Sequence, residues 1–251
     1  MSFIIAVAGK GGTGKTTVAS LLITLLSKRK DGAILGIDAD PNSNLAEYFG
    51  LKVKEDIGSI VDSVAKNLGS IPVGMTKDRY IDFRIQTSIL ESDGFDILAM
   101  GRPEGPGCYC YVNNLLRGLI RNLADDYKYI VIDNEAGFEH LSRRTMRRAD
   151  RLLLVSDSSE AGLRAAKRII ELIKELAIEI KNIALILNRA PVGTEHCSAP
   201  AIAEVGVETI GVIPEDEGLL NLSRQGKPIT CLEESSKAFI EVKRILDKIL
   251  S

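Results

Sequence analysis

The chain has 251 residues, 45% of them hydrophobic and 26% charged, with a formal net charge of -2. These values fit one large globular α/β domain, residues 1–251, and exclude a disordered or fibrous chain. They give no general attraction to nucleic acid, and no stretch approaches the roughly 18 apolar residues of a membrane span.

Short β-branched runs recur along the chain: Phe3–Ala8, Ile34–Asp38, Phe95–Met100, Tyr129–Asp133, Arg151–Ser156, Ile183–Asn188 and Thr209–Ile213. Each reads as a buried parallel strand. Thr16–Lys28, Tyr111–Ala124, Gly162–Leu176 and Ala199–Glu204 read as crossover helices, so the alternation predicts a doubly wound, mostly parallel sheet of about seven strands with helices on both faces. Ligands then belong at the carboxyl ends of the strands. Leu51–Ser92 lacks a strong apolar run and reads as a helical insertion without a legible role. In Ser236–Leu250, Phe239, Ile240, Val242, Ile245, Leu246 and Ile249 recur at helical spacing, which predicts a helix on the core. Phe3–Ala8 is too short for a signal-peptide core, and a cytoplasmic location follows by elimination. Arg143, Arg144, Arg147 and Arg148 scatter around a helical turn and read as solvated surface.

Gly9-Lys10-Gly11-Gly12-Thr13-Gly14-Lys15-Thr16 matches the phosphate-loop pattern G-x-x-x-x-G-K-S/T between a predicted strand and a predicted helix. Glycines let successive main-chain N–H groups turn toward phosphates, and the helix start adds its positive dipole end. Lys15 is expected to neutralise the β- and γ-phosphates, Thr16 to bind Mg²⁺ and Thr17 to reach the α-phosphate of ATP or ADP. Tyr129–Asp133 is an apolar strand ending in an acid, the form whose carboxylate approaches Mg²⁺. Asp38 and Asp40 form a D-x-D after the second strand. Asp38 reads as a helix-capping carboxylate and Asp40-Pro41-Asn42 as a turn, or both acids as functional groups.

Lys10, directly after the first glycine, makes the loop resemble that of the deviant Walker A ATPases, the family that includes MinD, ParA and the nitrogenase iron protein. The resemblance implies a homodimer in which Lys10 reaches the partner's nucleotide. It also implies a first switch at Asp38–Asn42, with Asp40 acting on the attacking water and Asp38 supporting Mg²⁺. The second switch falls at Asp133–Gly137, with Gly137 sensing the γ-phosphate. By the same resemblance Asn188 and Arg189 contact adenine, and Pro214, Glu215 and Asp216 line its other side.

Cys108-Tyr109-Cys110 precedes a predicted helix. An isolated C-x-C reads equally as two buried small side chains or as a thiolate pair. Two pairs meeting across a two-fold axis would supply the four sulfurs of a Zn²⁺ or Ni²⁺ site. Together with the second switch D-N-E-A-G-F-E-H, the pair resembles the CooC-type nickel-insertion ATPases, which serve carbon monoxide dehydrogenase. That resemblance implies a dimer formed on ATP or metal binding and a nickel-enzyme client, with no nucleic acid or membrane partner. A MinD- or ParA-like positioning protein and a maturation factor for acetyl-CoA synthase are the alternatives. The mixed-charge C-terminus does not resemble a basic membrane tail. His140, His196, Cys197 and Cys231 read as structural, with transient metal ligation as the alternative.

Overall fold

The computed structural model describes residues 2–42, 44–102, 125–136, 148–190 and 199–251, with residues 112, 115, 118, 120, 122 and 123 between them. Its strands are β1 (Phe3–Ala8), β2 (Ile34–Ala39), β3 (Leu90–Ser92), β4 (Phe95–Ala99), β5 (Tyr129–Asn134), β6 (Arg148–Ser156), β7 (Glu179–Ala190) and β8 (Glu208–Pro214). They make one eight-stranded sheet in the order β3-β4-β2-β5-β1-β6-β7-β8. All neighbours run parallel except β3, which turns back on β4 as a hairpin. The turn is Asp93-Gly94, and Gly94 takes the positive φ of 88° that a tight hairpin needs.

The helices are α1 (Lys15–Arg29), α2 (Leu45–Tyr48), α3 (Ile57–Lys66), α4 (Lys77–Ser88), α5 (Glu160–Glu175), α6 (Ala199–Val205), α7 (Glu217–Gln225) and α8 (Lys237–Leu250). The described residues from 112 to 123 are also helical. Helix starts carry their caps in the sequence. Asp56 and Ser59 close a capping box on α3, Ser159 accepts from Gly162 N–H at 3.0 Å on α5, and Ser236 accepts from Phe239 N–H on α8.

Two cores explain the double winding. Alternate β1 residues Ile4, Ala6 and Ala8 face one, with α3, α4 and α5; Ile5 and Val7 face the other, with α1 and α8. Each fully buried Val, Leu or Ile adds roughly 1.5–3 kcal/mol of transfer free energy, which is why strands buried on both faces read as continuous apolar runs. Helix α1 is buried from Val18 to Leu26 because α8 covers the side turned away from the sheet. In α8, Phe239, Val242, Ile245, Leu246 and Ile249 are buried as their spacing predicts, whereas Ile240 is 40% exposed and lies off the stripe.

The insertion before β4 is helical through α3 and α4, but it ends in β3 and not in further helix. Strands β6 and β7 begin earlier than their apolar runs. Arg148 and Glu179 pair in the ladder although neither side chain is buried.

Candidate functional site

The carboxyl ends of β1, β2, β5 and β7 converge on the loop between β1 and α1. Gly9 leaves β1 with its α-carbon against the neighbouring strand; a Cβ there would lie 2.1 Å from the Val155 carbonyl oxygen. Gly14 caps α1 at φ 90°, and a Cβ on it would meet the Asn188 amide nitrogen at 2.3 Å. Glycine is required at both places by contact and by conformation, Gly9 standing at φ 154°.

The Lys10 main-chain oxygen is the hub of the loop. It accepts from Thr13 N–H at 3.4 Å, from Thr13 Oγ1 at 2.9 Å and from Lys15 Nζ at 3.4 Å. The Lys10 side chain is exposed, while Lys15 is 7% exposed. Burial lowers the Lys15 pKa, against the opposing charges of Asp133, Asp40 and Glu135. The end of β7 braces the loop from outside. Asn188 Nδ2 donates to the Thr13 carbonyl at 2.8 Å and Arg189 donates to the Gly12 carbonyl at 3.1 Å. Arg189 does so from φ 55°, at a register shift in the β7–β8 ladder.

Asp38 and Asp133 stand opposite one another in the β2–β5 register, both essentially inaccessible to solvent. Burial pushes Asp38 up to about 7, helped by the charges of Asp133 and Asp40 and opposed by hydrogen bonds from Leu45 and Asp40 N–H. Burial pushes Asp133 up to about 6, helped by Asp40 and opposed by the Thr16 hydroxyl and Lys15. Asp38 Oδ2 accepts from Leu45 N–H at 2.7 Å and its Oδ1 from Asp40 N–H at 3.1 Å, so it does cap a helix, α2, as its plain reading predicts. Asp40 is partly exposed, and its Oδ1 closes a turn by accepting from Asn42 N–H and Nδ2, each at 2.9 Å.

Asp133 Oδ1 is buried with no hydrogen-bond partner. Two buried carboxylates with raised pKa values, an orphaned oxygen and the Thr16 hydroxyl form a hard-oxygen donor set suited to Mg²⁺, which neutralises the repulsion burial imposes. The adjoining glycine-bent loop and buried lysine suit a polyphosphate.

Beside α1 lies a cavity of about 560 Å³ lined by Thr17, Tyr48, Asn188, Arg189, Pro214, Glu215, Asp216 and residues of α7. Asn188, Arg189, Pro214, Glu215 and Asp216, named from the sequence as base-site residues, therefore meet around one space next to the loop. Asp216 also has structural work. Its Oδ1 caps α7 by accepting from Leu219 N–H at 3.0 Å, and its Oδ2 accepts from Ser236 Oγ at 2.7 Å and Ala238 N–H at 3.1 Å. Burial alone would raise its pKa, but the bonds from Ser236, Ala238, Leu219 and Gly218 outweigh burial and hold it below 3.8.

Two residues of this region are not singled out by the sequence. Asn134 is buried at the end of β5 and donates to the Val7 carbonyl at 2.9 Å, joining β5 to the strand that enters the loop. Its only signal is its place after an acid-terminated strand. Tyr48 donates to or accepts from Thr17 Oγ1 at 3.2 Å, and no motif marks it. Gly137, Cys108, Cys110, His140, His196 and Cys197 lie outside the described residues. Among the described residues, no cluster of three or more His, Cys, Asp or Glu is placed to hold a metal ion, and no helix is long and apolar enough to cross a membrane. Cys231 is exposed.

The profile of the family described as CbiA, the CobQ/CobB/MinD/ParA nucleotide binding domain, matches residues 4–229. An uncharacterized ATP-binding protein of Methanocaldococcus jannaschii is 43% identical over 250 residues, 99% of this chain and 98% of that protein. The carbon monoxide dehydrogenase accessory protein CooC of Rhodospirillum rubrum is 31% identical over 196 residues, 74% of this chain and 73% of its own. The fold matches the septum site-determining protein MinD of Pyrococcus horikoshii OT3, solved with Mg-ADP, at a TM-score of 0.73 and 23% identity, covering 99% of this chain and 96% of that one. With its phosphate-type loop at the head of α1 and a family match running from Ile4 to Ile229, the chain belongs to the CobQ/CobB/MinD/ParA family of nucleotide-binding domains.

Proposed function

We propose that the chain is a Mg²⁺-dependent ATPase, one P-loop domain over residues 1–251, that works as a cytoplasmic homodimer and inserts nickel into carbon monoxide dehydrogenase. The hydrolytic part rests on one observation, the buried Asp38 and Asp133 at the ends of adjoining strands β2 and β5 beside the buried Lys15 and part-buried Thr16 at the head of α1. The nickel part is supported by the likeness to CooC and by the Cys108-x-Cys110 spacing.

In the mechanism, main-chain N–H groups from Gly9 to Thr17 and the α1 dipole grip the phosphates. Lys15 leaves the Lys10 carbonyl to neutralise the β- and γ-phosphates. Thr16 and Asp133, with Asp38 acting through water, would hold Mg²⁺, which would supply further charge neutralisation. Asp40 orients the attacking water and takes its proton as the water oxygen bonds to the γ-phosphorus and the bridging oxygen leaves with ADP. Lys10 serves the partner's nucleotide, and Gly137 N–H reads the γ-phosphate. Asn188, Arg189, Pro214 and Glu215 surround the base. Closure of the dimer brings two Cys108/Cys110 pairs together around Zn²⁺ or Ni²⁺. Because the open and closed states hold the metal with different affinity, hydrolysis drives its transfer.

The test is metal titration of wild type and Cys110→Ser with ADP or ATP, read by subunit mass. The proposal expects about one metal per dimer, lost in the variant; unchanged stoichiometry rejects the shared thiolate site. A MinD- or ParA-like positioning role is the second reading, favoured by the family match itself. It expects ATP-dependent binding to lipid vesicles or DNA and indifference to Cys108→Ala. In α8 the apolar stripe is already buried in the core and offers nothing to a membrane. A client role for acetyl-CoA synthase is separated by which apoenzyme accepts the nickel.

A further inference from the structure

Tyr48 ends the four-residue helix α2, and its hydroxyl lies 3.2 Å from Thr17 Oγ1 at the mouth of the 560 Å³ cavity. A hydroxyl has one proton to donate and can accept in return. When Thr17 gives its proton to a phosphate oxygen, the Tyr48 phenol is left as the donor to Thr17, and the proton order becomes Tyr48 to Thr17 to phosphate. Such a chain polarises each member and fixes the rotor of the middle one. The other end of α2 is tied to the first switch. Leu45 N–H donates to Asp38 Oδ2 at 2.7 Å, and Asp38 Oδ1 accepts from Asp40 N–H at 3.1 Å. Leu45 and Tyr48 are three residues apart, about 4.5 Å along a helix axis. One short rigid element thus connects the Thr17 end of the nucleotide site to the loop carrying Asp40.

We propose that Tyr48 is a positioning residue, which aligns the Thr17 hydroxyl for the nucleotide's phosphate and, through α2 and Asp38, links occupancy of that end of the site to the placement of Asp40. The inference rests on the nucleotide-binding reading above. No other group is needed: the ring keeps its place in the cavity wall, and only the phenol oxygen carries the effect.

The experiment is a double-mutant cycle on Mg-ADP affinity with Tyr48→Phe, Thr17→Val and the pair, with Lys15→Met as control and ATP turnover measured alongside. Tyr48→Phe keeps the ring and is expected to weaken ADP binding about three- to tenfold, the size of one ordinary hydrogen bond, while leaving the melting temperature within a degree or two. Thr17→Val is expected to absorb that loss, so that the pair binds no worse than Thr17→Val alone. Tyr48→Phe also lowers kcat, which a residue serving only to pack α2 does not do. Wild-type affinity and kcat in Tyr48→Phe, or losses that multiply fully in the pair, overturn the proposal. If Lys15→Met binds ADP as wild type does, the nucleotide-site reading falls as well; if it does not, only the role of Tyr48 is at stake.

Discussion

Replacing Asn188 by Ala tests how far the phosphate loop depends on its brace from β7. The amide reaches the Thr13 carbonyl at 2.8 Å between residues that are 6% and 1% exposed. Truncation strands that carbonyl, and leaving a buried acceptor unpaired costs about 1–3 kcal/mol. In the nucleotide-free chain the loop escapes the cost by shifting the carbonyl toward water. A bound polyphosphate returns the loop to its place, so the cost appears as lost affinity, roughly 5- to 140-fold at 1.4 kcal/mol per factor of ten. Arg189 braces the next carbonyl from an exposed position at 3.1 Å. Water replaces that donor, and Arg189→Ala is expected to cost less than about fivefold. The assay is calorimetric titration with Mg-ADP, and with pyrophosphate, which has no base to touch the Asn188 side chain. The two ligands lose affinity by the same factor if loop organisation is the cause. Pyrophosphate binding as in wild type, or a larger loss in Arg189→Ala, refutes the reasoning.

Gly14→Ala places a methyl 2.3 Å from the Asn188 amide at φ 90°, so it combines about 1–2 kcal/mol of left-handed strain with loss of the same brace. Its pyrophosphate affinity falls more than tenfold in the same titration, and an unchanged affinity contradicts the crowding. Asp216→Ala removes the α7 cap and the tie to α8, costing about 1–2 kcal/mol in urea unfolding at neutral pH. Because the folded pKa of Asp216 lies below its ordinary 3.8, its contribution is complete above that value and is lost as pH falls through the folded one. The gap between variant and wild type therefore closes on acidification below about pH 3.8, and a gap that widens there reverses the sign. In α8, Ile245→Ala, fully buried, is expected to cost about 2–5 kcal/mol, whereas Ile240→Ala, 40% exposed, stays within about 0.5 kcal/mol. Equal urea midpoints for the two would mean that α8 is not seated as described.

Elements whose physics is local were readable in the sequence. The seven apolar runs are strands, because burial on both faces of a sheet selects nearly continuous apolar residues, and the glycine loop sits between a strand and a helix as its pattern requires. Asn188, Arg189, Pro214 and Glu215 do converge on one cavity, since parallel strands deliver their carboxyl ends to one side of a sheet. The omissions have equally local causes. β3 is three residues long and its burial alternates weakly, although Asp93-Gly94 was a hairpin signal in plain view. α7 has no buried residue to give it an apolar stripe, and only its Asp216 cap and terminal Gly226 mark its ends. α2, a single turn, is too short for any periodicity, so Tyr48 carried no mark. Asp216 was legible as a wall of the cavity but not as the link between two helices, because its partners Ser236 and Ala238 are twenty and more residues away.

Lys15 rests its ammonium on the main-chain oxygen of Lys10, the residue whose own side chain turns outward. An anion that drew Lys15 away would remove one of the three donors to that oxygen and leave it to Thr13 alone. The inward and outward lysines are therefore in mechanical series. A change in what Lys15 holds would therefore be felt by the peptide group next to the outward side chain, through a single carbonyl and with no other element moving.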